Sequence, residues 1–260
     1  VGQATQLNIV NGNPAMSYYD VTNQDLMYVR ANDVNGTSWG TPVRVVSSNS
    51  VAAWNFLAVV NGYPAICFYD ATDKDLKYIR ATNANGTAWG SVQTLVSSGD
   101  VGRNCFMMIV NSYPAICYYD LTNGDLEYIR ANDVNGSTWG SPVVVSSSND
   151  VGKWGVIAIV NGNPAISFYD LTNGDLKYVR ATNANGSSWG STITVQSSGD
   201  VGQYSNLIVT NGMPAISYYD VTNGDLKFVR ATNTNGTTWG TPVTVTSNGD
   251  VGKYSSMPLL

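Results

Sequence analysis

The sequence contains no histidine and a single glutamate, Glu127, among its 260 residues. The absence of histidine excludes Ser-His-Asp triads and most zinc sites, because both need an imidazole. Only 12% of the residues are charged, and 13 basic residues stand against 18 acidic ones, for a net charge of -5. This balance argues against nucleic acid as a partner. No apolar run approaches the length of about 18 residues that a membrane span needs, so none is predicted.

Cysteine is also scarce, and it predicts no disulfide framework. The three cysteines are Cys67, Cys105 and Cys117. We expect them to be small buried thiols without a chemical role. The chain also lacks an initiator Met and a signal-like apolar segment, which suggests a processed or excerpted protein. Low charge together with abundant Gly, Asn, Ser, Thr, Tyr and Trp predicts an extracellular or cell-surface (secreted) location.

The sequence is dominated by a repeat of 50 residues. Its copies occupy residues 11–60, 61–110, 111–160, 161–210 and 211–260. A period of this length is typical of propellers, solenoids and arrays. Five equal copies leave no place for a domain boundary, so we predict one domain spanning residues 1–260.

Each repeat contains four short segments with strand character, which we label a to d. In the first copy they are "TQLNIV", "PAMSYYD", "DLMYVRA" and "SWGTPVRVV", separated by turns rich in Asn and Gly. Strand b carries apolar residues on both faces, and no segment shows the 3.6-residue period of a helix. Inner strands covered on both faces are typical of a β-propeller. The predicted fold class is therefore all-β, a five-bladed β-propeller of four-stranded antiparallel blades.

Six segments resemble strand a, although five blades need only five. Residues 1–10 supply the first inner strand, and residues 251–260 form a surplus or ring-closing strand. The surplus copy could hang loose, displace another copy as the ring closes, complete a sixth shared blade, or pair with another molecule. Self-association through residues 251–260 is therefore one expectation.

The turn between strands c and d is "ANDVNGTSW" at residues 31–39, and its copies end at Trp89, Trp139, Trp189 and Trp239. This turn resembles the Asp-box, the S-x-D-x-G-x-T-W hairpin of sialidases and related bacterial-neuraminidase-repeat propellers. Here the turn is one residue longer, Ala replaces the Ser, and the Asp is kept only at Asp33 and Asp133. In that family the box is a folding element away from the substrate. The resemblance thus implies propeller architecture rather than catalysis.

Polar residues that recur in every copy are interpreted as structural. Asp20, Asp25 and Arg30 have equivalents in all five copies, whereas a catalytic site is normally single and asymmetric. The "NG[ST]" sequons at Asn35 and its equivalents are interpreted as turn chemistry. Each c–d turn holds too few carboxylates for calcium. We predict no catalytic residue, no metal and no cofactor.

The start of strand a and the loop before it differ between copies and carry the predicted ligand site. Because the strands are antiparallel, this loop and the b–c turn should share one end of each blade. Aromatic rings beside carboxylates and amides suit sugars, although the rings could merely plug the mouth of a central channel. The predicted ligand-binding residues are Trp54, Asp100, Arg103, Asn104, Asp150, Lys153, Trp154, Asp200, Tyr204, Asp250 and Tyr254.

Without histidine, and with Glu127 in a slot expected to face solvent, the chain is predicted not to be an enzyme. The predicted function is a non-enzymatic, extracellular, multivalent binding module with carbohydrate as the favoured ligand, in analogy with five-bladed propeller lectins. Its partner would be a glycan or a cell-surface protein. Two alternatives stay open: an assembly subunit whose terminal strand links rings into oligomers or filaments, and a sialidase-like glycosidase.

Overall fold

The computed structural model describes residues 2–47 and 51–257, and the side chains of all of these except residues 2, 3 and 51–53. Within those ranges the chain forms strands and turns and contains no helix. The strands build five antiparallel sheets of four strands each, in which neighbours in sequence are neighbours in space. We number these sheets as blades 1 to 5.

The strand bounds repeat with the period of the sequence. Blade 1 contains β1 (Gly2–Val10), β2 (Asn13–Asp20), β3 (Asp25–Arg30) and β4 (Val43–Ser47). Blade 2 contains β5 (Val51–Val60), β6 (Tyr63–Asp70), β7 (Asp75–Arg80) and β8 (Gln93–Val96). Blade 3 contains β9 (Val101–Val110), β10 (Tyr113–Asp120), β11 (Asp125–Arg130) and β12 (Val143–Ser146).

The last two blades follow the same pattern. Blade 4 contains β13 (Val151–Val160), β14 (Asn163–Asp170), β15 (Asp175–Arg180) and β16 (Ile193–Gln196). Blade 5 contains β17 (Val201–Thr210), β18 (Met213–Asp220), β19 (Asp225–Arg230) and β20 (Val243–Thr246). In every blade these four strands correspond to a, b, c and d of the sequence pattern.

The chain forms two compact units. One comprises residues 1–116 with 131–141, and the other comprises residues 117–130 with 142–260. The assignment of the whole chain to one domain stays a prediction.

The core of each blade is its second strand. In β6, β10, β14 and β18 every residue after the first is buried. This agrees with the prediction that strand b is covered on both faces, because both sets of alternating side chains are apolar or aromatic. In blade 1 the equivalent strand β2 is less buried, and only two of its residues are fully covered.

Strand d is shorter than predicted. It begins at Val43 in blade 1, and Trp39 contributes only an isolated bridge to Ala31. The reason is local: the Trp39 indole Nε1 donates to the Gly36 carbonyl at 3.1 Å, which holds this residue in the hairpin.

The terminal segment corrects a prediction. Val251 starts as strand a does elsewhere, with its amide bonded to the Gly224 carbonyl at 2.9 Å, as Val201 bonds to Gly174. Residues 251–257 nevertheless form no strand, and residues 258–260 lie outside the described part. Strand a of each blade is held by the strand b that follows it, and no such strand follows residue 257 among the described residues.

Candidate functional site

A bulge near the start of strand a shapes the predicted site. In blade 4 the register between β13 and β14 shifts between Lys153 and Val156, and Trp154 has a φ of 52°. Such a left-handed conformation is unusual for a bulky residue. Equivalent residues share it, at 51° for Asn104, 52° for Tyr204 and 57° for Tyr254. Because bulges re-aim side chains, we call these positions the bulge residues.

A glycine two residues earlier anchors the bulges at Asn104, Trp154, Tyr204 and Tyr254, whereas Ala52 stands two residues before Trp54. Gly152 has a φ of 108°, and a Cβ built there would lie 2.8 Å from the Cα of Leu126. Only glycine permits both this backbone angle and this approach to strand c of the preceding blade. The start of β13 is therefore fixed in position by backbone packing, and the bulge residue with it.

In blade 4 the bulge residue borders a buried tyrosine–aspartate pair. Tyr169 is buried in β14, and its Oη donates to Asp200 Oδ1 at 2.8 Å. Burial raises the pKa of Tyr169 to about 12, so its phenol stays protonated and keeps donating. The Trp154 ring packs at 5.4 Å from the Tyr169 ring and at 4.7 Å from that of Tyr204. The site thus combines a half-buried indole with a carboxylate fixed by a phenol.

Blade 2 adds a cation to the same arrangement. Tyr69 Oη donates to Asp100 Oδ1 at 2.9 Å, and Arg103 donates to the same carboxylate from Nε at 3.0 Å and from Nη2 at 2.8 Å. The guanidinium lies 5.6 Å from the centroid of the exposed Trp54 ring. A carboxylate with a bidentate guanidinium beside an exposed indole presents donors, acceptors and an apolar face within one small area.

Blade 5 has a third version with more exposed groups. Tyr219 Oη donates to Asp250 Oδ1 at 2.6 Å, and Lys253 Nζ donates to Oδ2 at 2.6 Å. The hydrogen bonds from Lys253 and then from Tyr219 hold the pKa of Asp250 below its ordinary value. The rings of Tyr204 and Tyr254 lie 4.3 Å apart. Burial, and then the bond with Tyr254, raises the pKa of Tyr204 to about 12.

Blade 3 has the same pair without an aromatic bulge residue. Tyr119 Oη donates to Asp150 Oδ1 at 2.6 Å, and Lys153 Nζ lies 5.4 Å from the centroid of the Tyr119 ring. Asn104 is the bulge residue here, and it is half-buried.

Loop and turn meet at one end of the blade, as predicted. The Asp150 amide bonds to Thr172 Oγ1 at 3.0 Å, and the Leu171 amide bonds to the Asp150 carbonyl at 2.8 Å. Thr172 and Leu171 belong to the b–c turn of blade 4. The loop aspartates are therefore held between the b–c turn and the buried tyrosine.

The sequence reasoning missed the tyrosines that organise these sites. They were assigned to the core as part of strand b, and they are indeed buried. The available signal was the Tyr before the Asp in every "YD" pair, since a buried phenol needs a hydrogen-bond partner. The residues are Tyr69, Tyr119, Tyr169 and Tyr219.

The c–d turns act as folding elements. Asp133 accepts hydrogen bonds from the amides of Asn135, Ser137 and Thr138 at 2.9–3.1 Å. Burial opposes ionisation of Asp133, but these bonds outweigh it and lower its pKa. The Trp139 ring meets Tyr78 edge-on at 5.1 Å. This is the role that the resemblance to the Asp-box implied.

The repeated arginines are also structural. Arg180 donates through Nε to the Val160 carbonyl at 2.8 Å and through Nη2 to the Asn161 carbonyl at 2.7 Å. Arg80 makes the same two bonds in blade 2. These guanidiniums hold the a–b turn, at the end of the blade away from the bulge residues.

Glu127 was expected to face solvent, and the structure corrects this. It is half-buried on β11 and accepts a hydrogen bond from the buried Tyr118. Burial raises the pKa of Glu127; the Tyr118 bond opposes this rise, and repulsion from Asp120 and Asp125 reinforces it. In blade 2 the same slot holds Lys77, whose Nζ binds Asp70 and Asp73, each at 2.6 Å. Blade 3 therefore has an acidic cluster where blades 2, 4 and 5 have a lysine–aspartate ion pair.

Within residues 2–47 and 51–257 no group of three or more Cys, Asp or Glu side chains is placed to hold a metal ion. The three cysteines are buried thiols, as expected. No helix in the described part of the chain is long and apolar enough to cross a membrane.

No protein-family model and no curated protein sequence matches this chain. Three similar solved structures are an exo-β-1,3-galactanase from Phanerochaete chrysosporium, a Hadza microbial sialidase and a fucose-specific lectin from Aleuria aurantia. The galactanase is 12% identical at a TM-score of 0.57, with 92% of this chain and 66% of that chain covered. The sialidase is 14% identical at 0.60, with 95% and 59% covered. The lectin is 14% identical at 0.55, with 96% and 80% covered.

These similarities concern the fold. Together with the five four-stranded sheets, they confirm an all-β, five-bladed propeller. The chain spans about two thirds or less of the length of the galactanase and the sialidase. These comparisons establish a fold that sugar-cleaving and sugar-binding proteins use.

The prediction that this chain is not an enzyme is contradicted by these comparisons. Two of the three structures are glycosidases, and further similar structures are family-43 and GH62 glycoside hydrolases. The reasoning failed because a missing histidine excludes triads, whereas glycoside hydrolysis usually needs only two carboxyl groups. The chain has 18 acidic residues, so that chemistry was never excluded.

Proposed function

We propose that this chain is a carbohydrate-active β-propeller that binds glycans at its bulge residues. The observation that carries the proposal is a bulky aromatic side chain held at a left-handed φ beside a tyrosine–aspartate hydrogen bond, as at Trp154. Strained backbone of this kind costs stability and persists where the surrounding structure enforces it, often at binding sites. The sugar-binding and sugar-cleaving proteins that share the fold support the same ligand class.

The chemistry of the sites suits sugars. An indole or phenol ring covers the apolar face of a pyranose, while a fixed carboxylate accepts hydrogen bonds from its hydroxyls. Asp100 is already oriented by Tyr69 and Arg103, so binding would order few additional groups. The exposed Trp54 ring lies 5.6 Å from the Arg103 guanidinium that holds this carboxylate.

The site is repeated in several blades, and the residue at its centre differs between them. This repetition favours multivalent binding. Blades 4 and 5 carry an aromatic bulge residue, at Trp154 and Tyr204, and Trp54 is the equivalent residue of blade 2, whereas blade 3 carries Asn104 and blade 1 carries Ala4. Several weak sites on one chain raise the affinity for a clustered ligand. An extracellular glycan or a cell-surface glycoprotein fits this mode, and we place the chain in a secreted setting.

A glycan array followed by calorimetry tests the proposal. The variants Trp54→Ala and Trp154→Ala should each weaken the binding of the selected glycan by about tenfold at the altered site, which is about 1.4 kcal/mol, because the ring that would cover the apolar face of the sugar is removed. Ile159→Ala is the matched control, since Ile159 is exposed on β13 but lies at the far end of that strand. If the rings only plug a channel mouth, Trp154→Ala will change the unfolding midpoint and leave glycan binding intact.

Glycoside hydrolysis is the second candidate function. It is favoured by the glycosidases among the similar structures and by the acidic cluster of blade 3, where Glu127 has a raised pKa near Asp120 and Asp125. A general acid with a raised pKa and a second carboxylate are what this reaction uses. A panel of fluorogenic glycosides tests it: Glu127→Gln should abolish any turnover, whereas the control Lys177→Gln, at the equivalent place in blade 4, should retain it. Turnover that survives Glu127→Gln would assign the chemistry elsewhere.

A further inference from the structure

Blade 1 leaves open a surface that its counterparts cover. Leu7 on β1 is 64% exposed, whereas its equivalents Leu57, Met107, Ile157 and Leu207 are between 1% and 4% exposed. In blade 2 this strand packs on the blade before it, and Asn8 of β1 donates to the Leu57 carbonyl at 3.2 Å. We call the surface around Leu7 the leading face, because through it each later blade sits on its predecessor.

The hairpin of blade 1 also lacks its usual partner. In blade 2 the Trp89 ring meets Tyr28 of the preceding blade edge-on at 5.3 Å, and a Cβ on Gly86 would lie 2.5 Å from that Tyr28 ring. At the equivalent Gly36 the described residues within 4 Å of an added Cβ are Pro14 and Trp39, both of the same blade. Trp39 is exposed. The leading face therefore extends to an open slot for an aromatic side chain.

Blade 5 leaves the complementary surface open. Val243 and Val245 on β20 are 59% and 58% exposed, whereas Val145, the equivalent of Val245 in blade 3, is 8% exposed. Phe228 stands where Tyr28 and Tyr178 are buried against the next blade, and it is only half-buried. We call the surface formed by Phe228, Val243 and Val245 the trailing face.

The terminal segment covers the inner part of the trailing face. Ser255 Oγ lies 3.2 Å from Ser217 Oγ, as Ser205 lies 3.0 Å from Ser167 between blades 4 and 5. The Met257 amide bonds to Asn206 Oδ1 at 3.4 Å. Residues 251–257 thus occupy the place that the first strand of a following blade takes elsewhere, without the rest of that blade.

We propose that the trailing face of one copy of this chain binds the leading face of a second copy and displaces residues 251–257. The internal repeat indicates that the molecule bound at each open face is a second copy of this chain. The two open surfaces are the two halves of the interface that blade 1 makes with blade 2 and blade 4 makes with blade 5. Phe228 then fills the slot at Gly36 and Trp39, and Leu7 replaces Met257. The contact is head-to-tail, so each copy keeps one face free.

Sedimentation of residues 1–260 and of residues 1–250 over a range of concentrations tests this proposal. Both should associate, and the shortened chain should do so at a concentration about tenfold lower, because the segment that competes for the trailing face is gone. Monomers of both chains at all concentrations would overturn the proposal. So would an unchanged dissociation constant, because residues 251–257 would then not compete.

A complementation experiment identifies the faces. Leu7→Gln alters only the leading face and Val245→Gln only the trailing face. Because every contact needs one intact face of each kind, each variant alone should stay monomeric or associate at least about tenfold more weakly than the parent. A mixture of the two variants should form 1:1 dimers, because each supplies one intact face. Both side chains are exposed in the single chain, so the thermal midpoints should stay unchanged. Ile159→Gln is the control and should associate normally. Leu7 protected from hydroxyl radicals in a monomer would show that the face is covered within its own chain, against the proposal.

Discussion

Replacing Gly152 by alanine should destabilise the protein more than replacing Gly162 by alanine. Both glycines have positive φ, 108° and 80°, so both variants bear the conformational cost of a Cβ, about 1–2 kcal/mol. At Gly162 no atom of the described residues lies within 4 Å of the added atom. At Gly152 the Cβ would meet the Cα and Cβ of Leu126 at 2.8 Å and its N at 3.0 Å. Backbone atoms cannot rotate away, so overpacking adds about 1–3 kcal/mol.

Urea unfolding measures the difference. We expect a loss of about 1–2 kcal/mol for Gly162→Ala and of about 2–5 kcal/mol for Gly152→Ala, read from midpoints at a common slope. Gly252→Ala tests an intermediate case. Its Cβ would lie 2.9 Å from the Cα of Leu226, but Gly252 belongs to a segment that forms no strand. It should cost less than Gly152→Ala. Equal losses for Gly152→Ala and Gly162→Ala would refute the idea that this close approach fixes the bulge.

Two further predictions concern carboxylates. The raised pKa of Glu127 means that its contribution to stability is present at low pH and is lost as pH rises through the folded-state pKa. Glu127→Gln should therefore gain stability over the parent as pH rises above about 4.3, the ordinary pKa of glutamate, measured by urea midpoints. A parallel pH dependence of parent and variant would contradict this. Asp133→Ala removes the carboxylate that accepts hydrogen bonds from three backbone amides and should cost about 1–2 kcal/mol. Asp133→Asn should cost at most about 0.5 kcal/mol, because Asn183 accepts the equivalent bonds in blade 4. The lowered pKa of Asp133 further predicts that the stability contributed by its carboxylate is lost as pH falls through the folded-state pKa. If the stability difference between the parent and Asp133→Asn does not change with pH, the charge of Asp133 does not stabilise the fold.

The repeat made most of the fold predictable. A 50-residue period with four strand segments defines the blades, and Asn-Gly turns mark their ends. Strand d was drawn too long because Trp39 bonds to its own hairpin, a contact between side chain and backbone that no hydrophobic pattern reports. The terminal segment was assigned to a strand because its sequence matches strand a, but a strand also needs a partner to pair with.

The candidate site was only partly predictable. Variation between copies indicated Trp54, Trp154 and the loop aspartates, because packing does not force those positions to be alike. The tyrosines were missed because a residue that is both core and hydrogen-bond donor looks like core alone. The burial of Glu127 was missed because its equivalents are mostly lysines, and lysines were taken to mark a solvent-facing position. The long lysine side chain nevertheless reaches a partner below the surface, as Lys77 does with Asp70.

Native mass spectrometry of the chain with an array-selected glycan tests the binding proposal most directly. We predict more than one glycan per chain, and the loss of one bound glycan for each of Trp54→Ala and Trp154→Ala. A single glycan whose binding survives both substitutions, or none from the whole array, would contradict the assignment of the bulge residues as a sugar-binding surface.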